Sequence, residues 1–455
     1  MEKTGVVEKI GKYRWMICLL LFANTANNYL DRQMLGILSP ELKKTYGWTD
    51  ADWAFITNAF QIAYAFGLPF FGRLVDKFGT RATYAWATIF WGFAAFGHGL
   101  CYWVSKDATV GSYFGTQFGS TMLLTVAMFA MMRFFLGIGE AVNFPAAIKA
   151  VTEWFPKKER ALATGIFNSG ANIGAVIAPA LVPWIAINFG WPWAFVVGGS
   201  INFIFILFWW PMYRLPQHKK GLDPAELRHI LSDNEDDGES AKVRWLDLLT
   251  YRETWAFIVG KAMTDPIWWF FMFWLPMWLN SSFKCDLKTL GWPLVIVYSF
   301  VSIGSIGGGY LSSALIHSGK SINFSRKMAF FICACCVMPI FLANLIGNMW
   351  IAAMIIGLAM AAHAGWSANI FTLASDCFPK RALASVIGLG GFAGTVASVG
   401  LNYFVGWWLT RHPGEYMVFF VIAACAYSTA LLIIHLLVPR IRTVRMAGTI
   451  AAPAR

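Results

Sequence analysis

The chain has 455 residues, of which 58% are hydrophobic, 17% aromatic and only 13% charged. A soluble chain averages about 25% charged residues, so this one lacks the polar content to cover a water-facing surface. Its net charge of +12 raises nucleic acid as a partner, which the placement of that charge argues against below.

Apolar runs of about 20 residues, the length a ~30 Å bilayer core requires, recur from end to end. The pattern predicts twelve spans and an all-α polytopic membrane protein. The first six cover 13–38, 53–74, 82–104, 120–152, 161–188 and 190–212, with the polar stretch 105–120 as a loop. The first run is too long for a cleaved signal, and no small-residue site follows it. The polar stretch 213–252 comes next, and in it DPAELRHIL predicts a short amphipathic surface helix. Asp223 would cap that helix, Pro224 would take its first turn and Glu226 would complete a capping box. Six further spans follow at 253–281, 290–315, 327–347, 349–376, 382–410 and 415–438. The expected organisation is an N-terminal six-helix bundle (1–212), a cytoplasmic linker (213–252), a C-terminal six-helix bundle (253–438) and a cytoplasmic tail (439–455).

Of the 36 Lys and Arg residues, 26 fall on the side of the N-terminus, six in the opposite loops and four inside spans. Short loops rich in Lys and Arg stay in the cytoplasm. The basic charge therefore reads as topology, with both termini inside and no nucleic acid bound. Cys333, Cys335 and Cys336 lie in an apolar span with no histidine at ligand spacing, so neither a metal nor a cofactor is expected.

The segment EWFPKKERALATGIFNSG at 153–170 returns as DCFPKRALASVIGLGG at 376–391. Each joins the fourth and fifth spans of its own half, the trace of a duplicated six-helix unit. Transporters are commonly built this way, with substrate bound near the midplane.

Ionisable residues within spans are costly, roughly 2.5–3.5 kcal/mol each at the bilayer centre. Asp31, Arg32, Arg133, Glu140, Lys261 and Asp265 must therefore pair or face water. Asn24, Asn28 and Asp31 fall on one helical stripe, as do Arg133, Gly137 and Glu140, and Lys261, Asp265 and Trp268. Three such stripes can line a shared aqueous cavity. Structural alternatives stand beside each. Lys261 and Asp265 can neutralise each other at i, i+4, Arg133 can hydrogen-bond the first span, and Glu140 can pair with Arg133. A permanent Asp31–Arg32 bridge is disfavoured because helical neighbours do not face each other. His363 stands at the repeat position of Glu140, although a lone histidine is usually a satisfied hydrogen-bonder. Arg32 and Lys261 can bind a carboxylate, and Tyr29, Tyr64, Trp268, Trp366 and Asn369 suit the faces and hydroxyls of a sugar. A small hydroxylated acid fits this set.

The loop GRLVDKFGTR at 72–81 resembles the signature loop of the major facilitator superfamily. That resemblance implies gating or structural roles for Gly72, Asp76 and Arg81, and Gly79 would permit a tight turn; Arg133 and Asp265 are expected to be structural from their own pairing. NNYLDRQ (27–33), the run from Arg133 to Ala175, TDPIWWFFMFWLP (264–276) and HAGWSANIFTLASDCFPKRA (363–382) together resemble the anion:cation symporter branch, and within it the hexuronate transporters. The resemblance implies proton coupling by Asp31 and Glu140 and sugar-acid binding by Tyr29, Arg32 and Tyr64. Ala171 stands where galactonate-type carriers have a glutamine, which favours a hexuronate. Ala364 departs from the hexuronate pattern H-Q-G-W and weakens the inference for the second half. The expectation is a monomeric transporter of the plasma (inner) membrane, importing a hexuronate by proton symport. Another organic anion is the alternative. No H-E-x-x-H or G-x-S-x-G occurs, so an enzyme is not expected, and a non-transporting receptor or channel is the remaining rival.

Overall fold

The computed structural model describes residues 11–106, 121–232 and 245–444, and every regular element among them is helical. The first long helices are α1 (Tyr13–Tyr46), α2 (Asp50–Phe78) and α3 (Thr80–Lys106). After them come α4 (Thr121–Glu140), α5 (Asn143–Trp154), α6 (Lys157–Phe189) and α7 (Trp191–Met212). The short helices α8 (Pro224–Leu231) and α9 (Trp245–Leu248) precede the remaining long ones. These are α10 (Arg252–Phe283), α11 (Leu287–His317), α12 (Ile322–Val337), α13 (Met349–Cys377), α14 (Lys380–Arg411) and α15 (Met417–Leu437). Among the described residues, eight helical stretches are long and apolar enough to cross a membrane. The helices α1, α2, α3 and α10 fall outside that set although they have 34, 29, 27 and 32 residues. In α1 the cause is visible, because Asn24, Asn27, Asn28, Asp31, Arg32 and Gln33 are all buried.

The chain forms two compact units. The first takes 1–237, 272–295 and 403–414, and the second 238–271, 296–402 and 415–455. Within the first, α1 packs closely on α6 at Gly170 and Gly174, where an added Cβ would stand 2.3 Å from the Phe22 carbonyl oxygen and 2.1 Å from that of Ala26. Within the second, Gly304 and Gly308 let α11 meet α13 in the same way, at Ala361 and Gly365. Small residues spaced by four allow such backbone approach in membranes, where packing rather than water drives helix association.

Three local departures from the expected elements have physical causes. The fourth span is broken at Ala141–Val142 into α4 and α5. Pro145 has no N–H to give the Ala141 carbonyl, and its ring crowds that oxygen. The expected span 327–347 becomes 3₁₀ over Met338–Asn344, where Pro339 acts similarly. Asp223 does cap α8, accepting from the Ala225 N–H at 3.1 Å, but Glu226 does not close the box. Its carboxylate instead accepts the backbone N–H groups of Tyr13 (3.1 Å) and Arg14 (3.0 Å), capping α1.

Candidate functional site

In the first unit, Asp31 and Arg32 are buried neighbours that point to different helices. The Arg32 guanidinium donates from Nε (3.0 Å) and Nη2 (2.9 Å) to Glu140 Oε2, and from Nη2 to Asn28 Oδ1 at 3.3 Å. Its central carbon lies 4.9 Å from the Tyr29 ring, 5.1 Å from Phe60 and 4.8 Å from Tyr64. Three aromatic faces stabilise the cation and exclude water around it. Glu140 closes α4 at the break that Pro145 imposes, and its Oε1 has no hydrogen-bond partner. The cation thus holds one carboxylate oxygen, in a pocket walled by rings.

Asp31 turns the other way. Its Oδ2 accepts from Asn202 Nδ2 on α7 (2.8 Å) and from Asn27 Nδ2 (3.2 Å). The Asp31–Arg32 bridge and the Glu140–Arg133 pair are therefore not what forms: Asp31 is held by amides, and Glu140 is held by Arg32. Arg133 reaches the first span as expected, with Nη1 3.4 Å from the Arg32 carbonyl oxygen. Its Nε and Nη2 have no hydrogen-bond partner although the residue is fully buried. Buried groups in low dielectric are normally satisfied. Asp31 Oδ1, Glu140 Oε1 and Asn28 Nδ2 are likewise buried without a hydrogen-bond partner.

In the second unit, Lys261 and Asp265 pair at 2.8 Å, so the i, i+4 neutralisation is realised. Gly394 makes room for the carboxylate, since an added Cβ would stand 2.4 Å from Asp265 Oδ2. Trp268 stacks on His363, with ring centroids 5.3 Å apart and planes at 17°. His363 Nδ1 shares a 2.6 Å hydrogen bond with the Tyr427 hydroxyl, so it is a satisfied histidine that also supports a half-buried tryptophan face. Trp366 is fully buried against Phe330 and Tyr427. The Asn369 amide donates to the Gly308 and Gly365 carbonyls at 2.9 Å each, tying α13 to α11. Trp366 Nε1 and Asn369 Oδ1 have no hydrogen-bond partner.

Arg81 donates to the Trp210 carbonyl from Nε (3.2 Å) and Nη2 (2.6 Å), and lies over that ring at 4.4 Å. Gly79 takes the turn with φ +79°. Gly72 and the Asp76 side chain lie outside the described residues. Sequence reasoning missed Asn202, Phe60 and Trp91, whose indole N–H donates to Asn202 Oδ1. A lone asparagine in the otherwise apolar run 190–212 was the available signal for the first.

The family model described as Major Facilitator Superfamily matches residues 21–401. A hexuronate transporter from Escherichia coli (strain K12) is 29% identical over 404 residues, covering 88% of each chain. From the same strain, a protein described as "Probable galactarate/D-glucarate transporter" is 29% identical over 406 residues, 87% of this chain and 88% of its own. The inward open xylose transporter from E. coli superposes with a TM-score of 0.66 at 14% identity, covering 94% of this chain and 96% of its own.

Proposed function

Because the chain belongs to the Major Facilitator Superfamily, and is a membrane transporter rather than an enzyme, we propose that it imports a hexuronate by proton symport through alternating access. The observation that carries this reading is the Arg32–Glu140 pair, walled by Tyr29, Phe60 and Tyr64. A buried guanidinium whose partner is a titratable carboxylate can exchange that partner for another. Protonation of Glu140 releases Arg32, and the carboxylate of the sugar acid takes the fork bidentately. Tyr29 and Tyr64 flank the fork and supply hydroxyls to the sugar. Proton release inside then returns Glu140 to Arg32 and expels the substrate.

A monoanion entering an inside-negative cell works against about 2.3 kcal/mol per 100 mV. One proton makes the cycle electroneutral, and two make the potential favourable. Asp31 and Glu140 are two separate buried acids, which supports the second case. A galactarate or glucarate carrier is the second reading, favoured by a relative of that description at equal identity.

The test is uptake of radiolabelled glucuronate, galacturonate and galactarate into proteoliposomes under an inward proton gradient. Wild type is expected to accumulate a hexuronate. Asp31→Asn and Glu140→Gln are expected to lose accumulation while keeping exchange. Accumulation of galactarate alone would replace the substrate, and gradient-driven accumulation by Asp31→Asn would remove that residue from the coupling.

A further inference from the structure

The amides that hold Asp31 belong to a chain whose donor and acceptor roles are forced at one end. An indole N–H can only donate, and Trp91 Nε1 lies 2.5 Å from Asn202 Oδ1. Flipping the Asn202 amide would set donor against donor, so Nδ2 must be the atom facing Asp31 Oδ2. Asn27 Nδ2 reinforces the same polarity, lying 2.8 Å from Asn202 Oδ1 and 3.2 Å from Asp31 Oδ2. Asp31 Oδ2 is thereby an acceptor for two N–H groups, while Oδ1 has no hydrogen-bond partner. That free oxygen faces Gly198, where an added Cβ would stand only 2.9 Å away. Gly198 and Asn202 are four apart on α7 and so share a face. One helix face presents the clamp for one oxygen and, beside the other, a glycine against which the Met34 thioether packs, its Cε 2.3 Å from where an added Cβ would stand.

We propose that Asn202, oriented by Trp91, is a positioning residue for proton coupling that directs the transported proton to Asp31 Oδ1 and favours its release. The inference rests on the reading of Asp31 as a proton site. A hydrogen bond donated to a carboxylate favours its charged form, so the Asn202 amide opposes retention of the proton. Other charged groups act on the same site. Arg133, with Nη1 3.4 Å from the Arg32 carbonyl oxygen, and Glu140 belong to α4, and Arg32 on the same helix as Asp31 is turned to Glu140. From α3, His98 is engaged with the Ala94 carbonyl. On α5, Lys149 is directed to the Val75 carbonyl and Glu153 to Thr80. Helix α7 has no titratable residue and α6 none beyond Arg160. The two amides are therefore the neutral part of the balance, and they can be altered without changing charge.

The experiment compares Asn202→Ala, Asn202→Gln and Trp91→Phe in proteoliposomes, using the sugar acid that wild type accumulates. Net uptake and exchange are each measured against internal pH. Loss of the Asn202 amide is expected to slow net uptake about tenfold at neutral internal pH and to move its half-maximum about one pH unit higher, with exchange close to wild type. Trp91→Phe frees the amide to flip and is expected to shift the profile in the same direction by less. Asn202→Gln retains an amide and is expected to recover part of the loss. Equal loss of net uptake and exchange with no displacement of the pH profile, in Asn202→Ala and Trp91→Phe alike, would overturn the proposal and leave Asn202 a packing residue. Failure of the underlying reading looks different, since Asp31→Asn would then still accumulate substrate whatever Asn202 does.

Discussion

Placing Asp31 beside Arg32 gives one helix two separate instruments. Adjacent positions are about 100° apart on a helix, so the acid is delivered to α7 and the cation to α4. The stripe Arg133–Gly137–Glu140 was legible from spacing. The structure explains its middle member, since an added Cβ at Gly137 would stand 2.5 Å from the Phe60 carbonyl oxygen. The identity of each partner was not legible. Asn202 lies 171 positions from Asp31 and Glu140 108 from Arg32, and helical periodicity carries no information about which distant helix a stripe will meet. Arg32→Lys keeps the charge but loses the planar fork. It is expected to raise the KM for uptake by roughly 10- to 100-fold, the equivalent of one charge-assisted hydrogen bond, as read from initial rates at saturating proton gradient.

At the level of single elements, composition predicted where helices lie better than where they stop. Each of the expected spans 120–152 and 327–347 persists as one candidate span, Leu124–Trp154 and Ile322–Asn344, with the helix interrupted inside it near Pro145 and Pro339. Capping shows the opposite error. Glu226 sits at a capping-box position, but the N–H groups of α1 compete for it, and Arg14 adds a 3.3 Å contact to the same carboxylate. Four N–H groups at a helix start need partners, and a buried acid from elsewhere in the chain is a strong one. Glu226→Ala is expected to cost roughly 1–3 kcal/mol and to lower the thermal midpoint in detergent, whereas Asp223→Ala costs less. A second cap lies outside the spans at Asp286, whose Oδ1 accepts from the Thr289 hydroxyl and N–H and from the Lys288 N–H at 2.9–3.1 Å. The Thr289 hydroxyl, followed by the backbone donors, holds this carboxyl below its usual range. A depressed acid stabilises the fold above its unfolded value and loses that contribution as pH falls through the folded one. Unfolding between about pH 5 and pH 2 should therefore be less steep in Asp286→Asn.

For the molecule as a whole, family membership and the all-helical architecture were readable from hydropathy, the FP repeat and the loop at 72–81. The division into compact units was not. Helices α10, α11 and α14 each cross a unit boundary, which no composition change announces. Charge asymmetry remains the argument for orientation. In a background where the exposed Cys335 and Cys425 are replaced, a membrane-impermeant maleimide should label His412→Cys on intact cells and Ser318→Cys only after permeabilisation. The reverse pattern would invert the proposed topology.

Because Glu226 clasps the start of α1, the chain from Tyr213 to Leu231 belongs mechanically to the first unit. Between it and α10 the described residues include only Ser232 and the segment from 245, which opens on the short helix α9. Lengthening a flexible connection is cheap in general, about 0.6 kcal/mol for each doubling, but prying open the clasp exposes a helix end. A reporter domain inserted after Ser232 should therefore leave transport intact, whereas the same insertion at Gly221 should not.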